Sequence, residues 1–227
     1  TQFRLLSPPT LSSVLPLPPA PATPVYLDVV KNGDDLLDIQ ALDNYMLLMD
    51  KPVSLNDRMQ YVVAFYPQRS LPYALYTGRF YIDQETLSFT RIEFEMDLSD
   101  RVKAANTILQ KKPFGMRFRP LNVTYLVTYR QQNGKTYLNY IRNDVRFKCD
   151  WKKRLFSSIY TTTSEVVMVD RDDAPVSGIK SRHSFKHSQV FYDVVDEYWD
   201  PDYWKDYNII EPTESLESAV EKLRKKK

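Results

Sequence analysis

Two histidines, one cysteine and two pairs of carboxylates are the side chains of this chain whose types and spacing suggest chemistry. His183 and His187 stand four residues apart. On a helix both would face one way, the geometry of many zinc sites. No Glu follows His183 and no cysteine lies nearby, so a pair of exposed loop histidines is the plainer reading. Cys149 sits inside an expected strand beside Trp151 and has no second cysteine to pair with, which reads as a packed thiol rather than a nucleophile. Glu93/Glu95 and Asp172/Asp173 are paired carboxylates of the kind glycosidases use. Glu93 and Glu95, however, share the polar side of an alternating strand with charged neighbours, as a solvated face does. There is no nucleophile-elbow, Walker or dinucleotide glycine motif, and with five glycines in all a phosphate-cradling loop is not expected. The expectation is therefore no catalytic residue, no metal and no cofactor.

Recognition surfaces are easier to find. Tyr198, Trp199, Tyr203, Trp204 and Tyr207 cluster near the end of the chain, and rings with an apolar face and a polar edge suit partner binding. Their competing role is to fasten a terminal helix to the body. Arg142, Asp144, Arg146 and Lys148, in parity with Thr136, mark a second polar face, which alternating charge makes an ordinary wet surface. A balance of 31 basic against 29 acidic residues leaves +2, which gives no ground for nucleic-acid binding. No apolar run approaches the roughly 20 residues of a membrane-spanning helix, so no transmembrane segment is expected, and no signal-peptide pattern is visible. The start at Thr1 suggests a processed chain or a piece of a longer one.

The elements that must position these groups are mostly strands. Residues 1–24 hold Pro8, Pro9, Pro16, Pro18, Pro19, Pro21 and Pro24, which predicts an extended arm or linker; the arginine expected beside an SH3-type ligand is missing around Pro16-Leu17-Pro18-Pro19. Residues 25–227 read as one antiparallel β domain. Val25 to Leu37 is loosely helical. Leu42 to Met49 and Met59 to Tyr66 form a predicted hairpin across a polar turn, Lys51 to Asp57. Phe80 and Ile82 share one side of the next strand; Ile92, Phe94, Met96 and Leu98 alternate with Arg91, Glu93, Glu95 and Asp97 on the one after. Leu87 and Phe89 have the opposite parity to Ile92 and Phe94. Either a β-bulge lies near Thr90 and Arg91 or both faces are covered there, and the bulge is the favoured reading. Ala104, Ala105, Ile108 and Leu109 predict a short helix capped by Ser99 or Asp100 and stopped before Pro113. Arg117 to Arg130 and Lys135 to Lys148 flank Asn133-Gly134, a strong hairpin signal. Arg154 to Asp170 is a long β-branched strand, Asp170 to Ser188 a loop, and Val190 to Val195 a last short strand. Asp200-Pro201 starts a helical turn, and Leu216, Val220 and Leu223 stripe a C-terminal helix opened by Thr213 or Ser215. The fold class is thus mainly β (α+β): a large curved antiparallel sheet or half-barrel with a few short helices and a C-terminal helix.

A resemblance covers about Tyr26 to Leu223. The residues Tyr76-x-Gly78-x-Phe80-Tyr81-Ile82-Asp83, Tyr125-x-Val127-x-Tyr129-Arg130 with Asn133-Gly134-Lys135, Trp151-Lys152-x-x-Leu155-Phe156, and above all the stretch from Asp200 to Pro212, resemble the C-terminal region of the carboxypeptidase-like regulatory-domain-containing proteins of Bacteroidetes envelopes. That family implies a preceding signal peptide and a small β-sandwich, neither present here, and it implies no peptidase activity. The proline-rich start departs from its pattern. The Gly78 to Asp83 segment is also similar to the lipoprotein-carrier proteins, whose curved sheets wrap a hydrophobic cavity. The implied function is a non-enzymatic cell-envelope module, periplasmic or outer-membrane-associated, serving assembly or an unknown envelope partner. The alternative is a carrier of an apolar ligand, a lipid or lipoprotein acyl chain, on the face bearing Phe80, Ile82, Phe94, Met96, Val127 and Tyr129. A glycan or peptide hydrolase is the remaining reading.

Overall fold

Long runs in which apolar and polar residues alternate pair with their sequence neighbours, because a short turn returns the chain antiparallel at little entropic cost. The computed structural model describes residues 30, 39–108, 114–152, 157–168 and 171. Seven strands, β1 (Tyr45–Leu55), β2 (Arg58–Pro67), β3 (Tyr76–Asp83), β4 (Phe89–Met96), β5 (Met116–Gln132), β6 (Lys135–Trp151) and β7 (Ser158–Val167), form one sheet in sequence order. Each neighbouring pair is antiparallel. The sheet does not close, so β1 and β7 are its edges among the described residues. This is the mainly-β curved sheet that the alternation predicts.

Turn chemistry fixes two of the hairpins. Asn133 and Gly134 both have positive φ, 52° and 74°, as a two-residue type I′ turn requires between β5 and β6. Asn56 and Asp57, at 51° and 61°, do the same between β1 and β2. The expected turn from Lys51 to Asp57 is therefore shorter, and β1 runs on through Pro52. A proline is tolerated there because β1 is an edge strand, and a register shift between Asp50 and Val53 absorbs Lys51 and Pro52. The bulge expected near Thr90 is present: Tyr81 faces Arg91 and Ile82 faces Phe89, leaving Thr90 as the extra residue.

A short helix α1 (Ile39–Leu42) precedes β1, and α2 (Arg101–Ile108) links β4 to β5. Of the two candidate caps Asp100 serves α2, its Oδ1 accepting from the Val102 and Lys103 N–H groups at 3.0 Å each. Ala104 and Ile108 point into the core. Thr107 Oγ1 accepts from the Ala74 N–H at 2.8 Å and ties the helix to the segment before β3.

One face of the sheet carries the apolar row. Phe65 stacks on Phe80 with centroids 4.5 Å apart, Phe94 on Tyr125 at 4.6 Å, and Tyr76 meets both of the latter edge-on. Val123, Val127, Ile141, Val145, Phe147 and Cys149 extend it across β5 and β6. Gly78 is required by this packing, not by its backbone angles. A Cβ there would lie 2.2 Å from the Glu93 carbonyl oxygen and 2.6 Å from the Phe65 ring. Of the expected seventh strand, Arg154 to Asp170, residues 157–168 are described, and Ser158–Val167 of them form β7. The expected short helix within Val25–Leu37 (Val30 apart), the Val190–Val195 strand, the Asp200 turn, the C-terminal helix and the arm 1–24 lie outside the described residues.

Candidate functional site

A buried polar knot forms where β2, β3 and β4 end beside the β1–β2 turn. Gln60 and Asp83 are opposite one another in the β2–β3 ladder and are 1% and 2% exposed, among the most buried side chains described. Burial of a carboxylate demands partners. Asp83 Oδ1 accepts from the Glu85 N–H at 3.0 Å, the Thr86 N–H at 2.9 Å and the Thr86 hydroxyl at 3.0 Å, which shapes the β3–β4 turn. Arg58 Nη2 donates to the same oxygen at 2.9 Å, and Arg58 Nε lies 2.7 Å from Asp83 Oδ2. Gln60 Nε2 donates to the Arg58 carbonyl at 3.2 Å, and the bulged Thr90 hydroxyl donates to Gln60 Oε1 at 2.7 Å. Burial on its own would raise the Asp83 pKa. The hydrogen bonds from Thr86 and Glu85 and the Arg58 charge outweigh it, and the carboxyl ends below its ordinary value of 3.8.

This knot floors a cleft of about 470 Å³ whose walls come from the β1–β2 turn and from β2 through β6. Its size is that of a small-ligand pocket. Arg58, Arg91 and Arg130 line it with Asp83, Phe89, Tyr129, Gln131, Thr136 and Asn139. Arg91 pairs with Glu93 and lies 5.8 Å over the Tyr81 ring. A second register shift, between Thr128 and Tyr129, makes Asn139 the extra residue of β6, and its Nδ2 donates to Thr128 Oγ1 at 3.2 Å. That shift also reverses side-chain parity. Thr136 therefore lines the cleft and does not continue the charged row of Arg142, Asp144, Arg146 and Lys148.

The charged row itself is a wet ladder. Arg142 Nε lies 2.6 Å from Asp144 Oδ2, the Thr163 hydroxyl donates to Asp144 Oδ1 at 2.5 Å, and Glu165 takes Arg142 at 3.6 Å together with the Tyr140 hydroxyl. Burial and the Glu165 contact push the Tyr140 phenol up to about 12. Glu93 accepts the Tyr81 hydroxyl at 2.9 Å and pairs with Arg91, and Glu95 is exposed on the same strand, so this is the same kind of surface.

Of the six residues expected to line an apolar ligand face, Phe80, Phe94, Met96, Val127 and Tyr129 are buried in the core cluster and Ile82 packs against it. Only Tyr129 of the six reaches the cleft. Tyr198, Trp199, Tyr203, Trp204 and Tyr207, and both histidines, lie outside the described residues. None of the cleft residues Arg58, Gln60, Asp83, Thr90, Arg130 and Asn139 was expected as a site residue, although Thr90 was read as the place of a bulge and Asp83 and Arg130 stand in the segments that carry the resemblance. Their signal was the broken alternation at Thr90 and again between Leu138 and Ile141, where a bulge must turn a side chain.

The other surface that stands out is the β1 edge. Met46, Leu47, Leu48 and Met49 are 46%, 46%, 47% and 66% exposed. They point to both faces of a strand with no neighbour on its outer side among the described residues. No family model, curated protein or solved structure matches the chain.

Proposed function

We propose that the chain is a non-enzymatic module of the bacterial cell envelope, acting in assembly or partner binding. The observation that carries this reading is the uneven protection of the β1 edge. Sheet edges offer unpaired N–H and C=O groups to any passing strand, and proteins blunt them with lysine, proline and bulges. The second half of β1 has all three devices in Lys51, Pro52 and the register shift between Asp50 and Val53. The first half, Met46 to Met49, has none of them and leaves four large apolar side chains in solvent. An extended segment of a partner polypeptide added there as an outer strand would gain main-chain hydrogen bonds and cover those side chains. The envelope setting is supported by the resemblance of the Asp200 to Pro212 stretch. The apolar-carrier alternative is less favoured, because admitting an acyl chain among Phe80, Phe94, Met96 and Val127 requires parting rings that now stack.

The test places Leu48→Lys and Met49→Lys together in the chain within bacterial cells that carry it. Wild-type protein is expected in periplasmic or outer-membrane fractions, migrating with a larger assembly on size exclusion. The double variant, with an unchanged circular dichroism spectrum, migrates free. Wild-type chain found free, or in the cytoplasmic fraction, or a double variant still held in the assembly, overturns the proposal.

A further inference from the structure

The apolar stretch of the β1 edge is flanked by opposite charges at equal distances. Asp43 stands four residues before Leu47, and Lys51 four residues after it. Both are exposed, and neither side chain makes an ion pair among the described residues. An edge with an acid at one end, a base at the other and an apolar middle is complementary to its own antiparallel copy.

The ladder with β2 decides which main-chain groups are open. The Asn44 carbonyl accepts from the Gln68 N–H at 2.9 Å, so by the alternation of an antiparallel pair Met46, Leu48 and Asp50 also turn their N–H and C=O groups towards β2. Leu47 and Met49 turn theirs outward, where no described strand lies. Outward groups can bond only to outward groups, so a second β1 must pair odd-numbered residues with odd-numbered ones. With a two-fold axis at Leu47, Leu47 meets Leu47 of the other copy, Met46 meets Leu48 and the Asn44 amide meets the Asp50 carboxylate. Lys51 of each copy then comes beside Asp43 of the other. Moving the axis one residue either way sets Asp50 against Leu42 or against Met46. The faces match as well. Leu47 is opposite Phe65 and Met49 is opposite Val63, itself opposite Phe80, so both continue the core side of the sheet up to its edge. A second copy carries that apolar row on across the axis.

We infer that β1 docks on β1 of a second copy of this chain, antiparallel about Leu47, so that two seven-stranded sheets run on as one. This rests on the reading of β1 as a docking edge and names its occupant. An isologous contact of this kind closes at two chains. Light scattering behind size exclusion, on the purified full chain at low ionic strength, tests it. Wild type is expected at the mass of two chains. Asp43→Lys and Lys51→Asp each place like charges at both ends of the contact, and each is expected to raise the dimer dissociation constant at least tenfold without lowering the melting temperature. An equimolar mixture of these two variants restores opposite charges at both ends, and is expected to dimerise like wild type. Register is read by oxidation: Leu47→Cys cross-links, because residues facing across a hydrogen-bonded pair lie about 5.5 Å apart, whereas the two Met49→Cys positions fall four residues apart along the strands and do not. Monomeric wild type, single variants that dimerise like wild type, a mixture that stays monomeric, or Met49→Cys cross-linking as readily as Leu47→Cys overturns the inference. Purified chain that is monomeric, yet held in cells in an assembly that Leu48→Lys with Met49→Lys releases, overturns the second copy alone and leaves the docking edge standing.

Discussion

Asp83 shows how one residue is held in an environment that should reject it. At 2% exposure its charge is tolerated because two backbone N–H groups, a hydroxyl and a guanidinium converge on it. Its pKa is lowered in the folded chain, so its contribution to stability is fully present above the unfolded value near 3.8 and is lost as pH falls through the folded one. Asp83→Asn keeps the shape but loses the charge-assisted contact with Arg58. The expected cost near neutral pH is about 2 kcal/mol, shrinking as pH falls below 3.8 and through the lowered folded-state value, where the wild-type carboxyl protonates. Urea unfolding of both proteins across that range checks it. A stability difference that stays constant with pH would show that the Asp83 charge contributes nothing. Asp50 and Asp144 are also lowered, which is why the comparison with the variant, and not the acid sensitivity of the wild type, isolates Asp83.

Among the elements, β3 is the one whose position admits least change. Phe65 of β2 and Phe94 of β4 close over Gly78 from either side, and the Glu93 carbonyl lies where a methyl group would go. A backbone oxygen cannot step aside as the tip of a long side chain can. Gly78→Ala is therefore expected to push β3 away from β4 at a cost of about 3 kcal/mol, a drop in melting temperature on the order of 10 °C for a chain of this size. Differential scanning calorimetry reads it directly. A melting temperature equal to or above wild type would mean that the strands separate freely at this point. Gly78 was visible in the sequence as part of the Tyr76 to Asp83 segment, but its reason was not, because the crowding comes from residues thirteen before and sixteen after it in the chain. The Asn133-Gly134 turn, the α2 helix and the Thr90 bulge were legible for the opposite reason. Each is dictated by neighbours a few residues away, through positive φ, a capping carboxylate or a break in period-two alternation.

For the whole molecule, Cys149 reports on cooperativity. It is 1% exposed on β6, opposite Phe118 on one side and Ser158 on the other, and burial together with the Asp150 charge raises its thiol to about 11. Such a thiol is inert until the sheet opens. Its labelling by an aromatic disulfide reagent near pH 8 is expected to follow the same urea transition as circular dichroism. Labelling of the native protein within minutes would mean that β6 opens on its own, without the rest of the sheet. The sequence by itself determined most of the strands, the Asn133-Gly134 turn, the α2 helix with its two candidate caps and the division into a wet and an apolar face, because each of these follows from local backbone preference and alternation. Only the tertiary structure decided which strands are edges among the described residues, that two bulges separated by nearly fifty residues meet at one cleft, and that Arg58 and Asp83 pair there. Edges, clefts and charge pairs arise from long-range register, and register is fixed by the packing of all seven strands together.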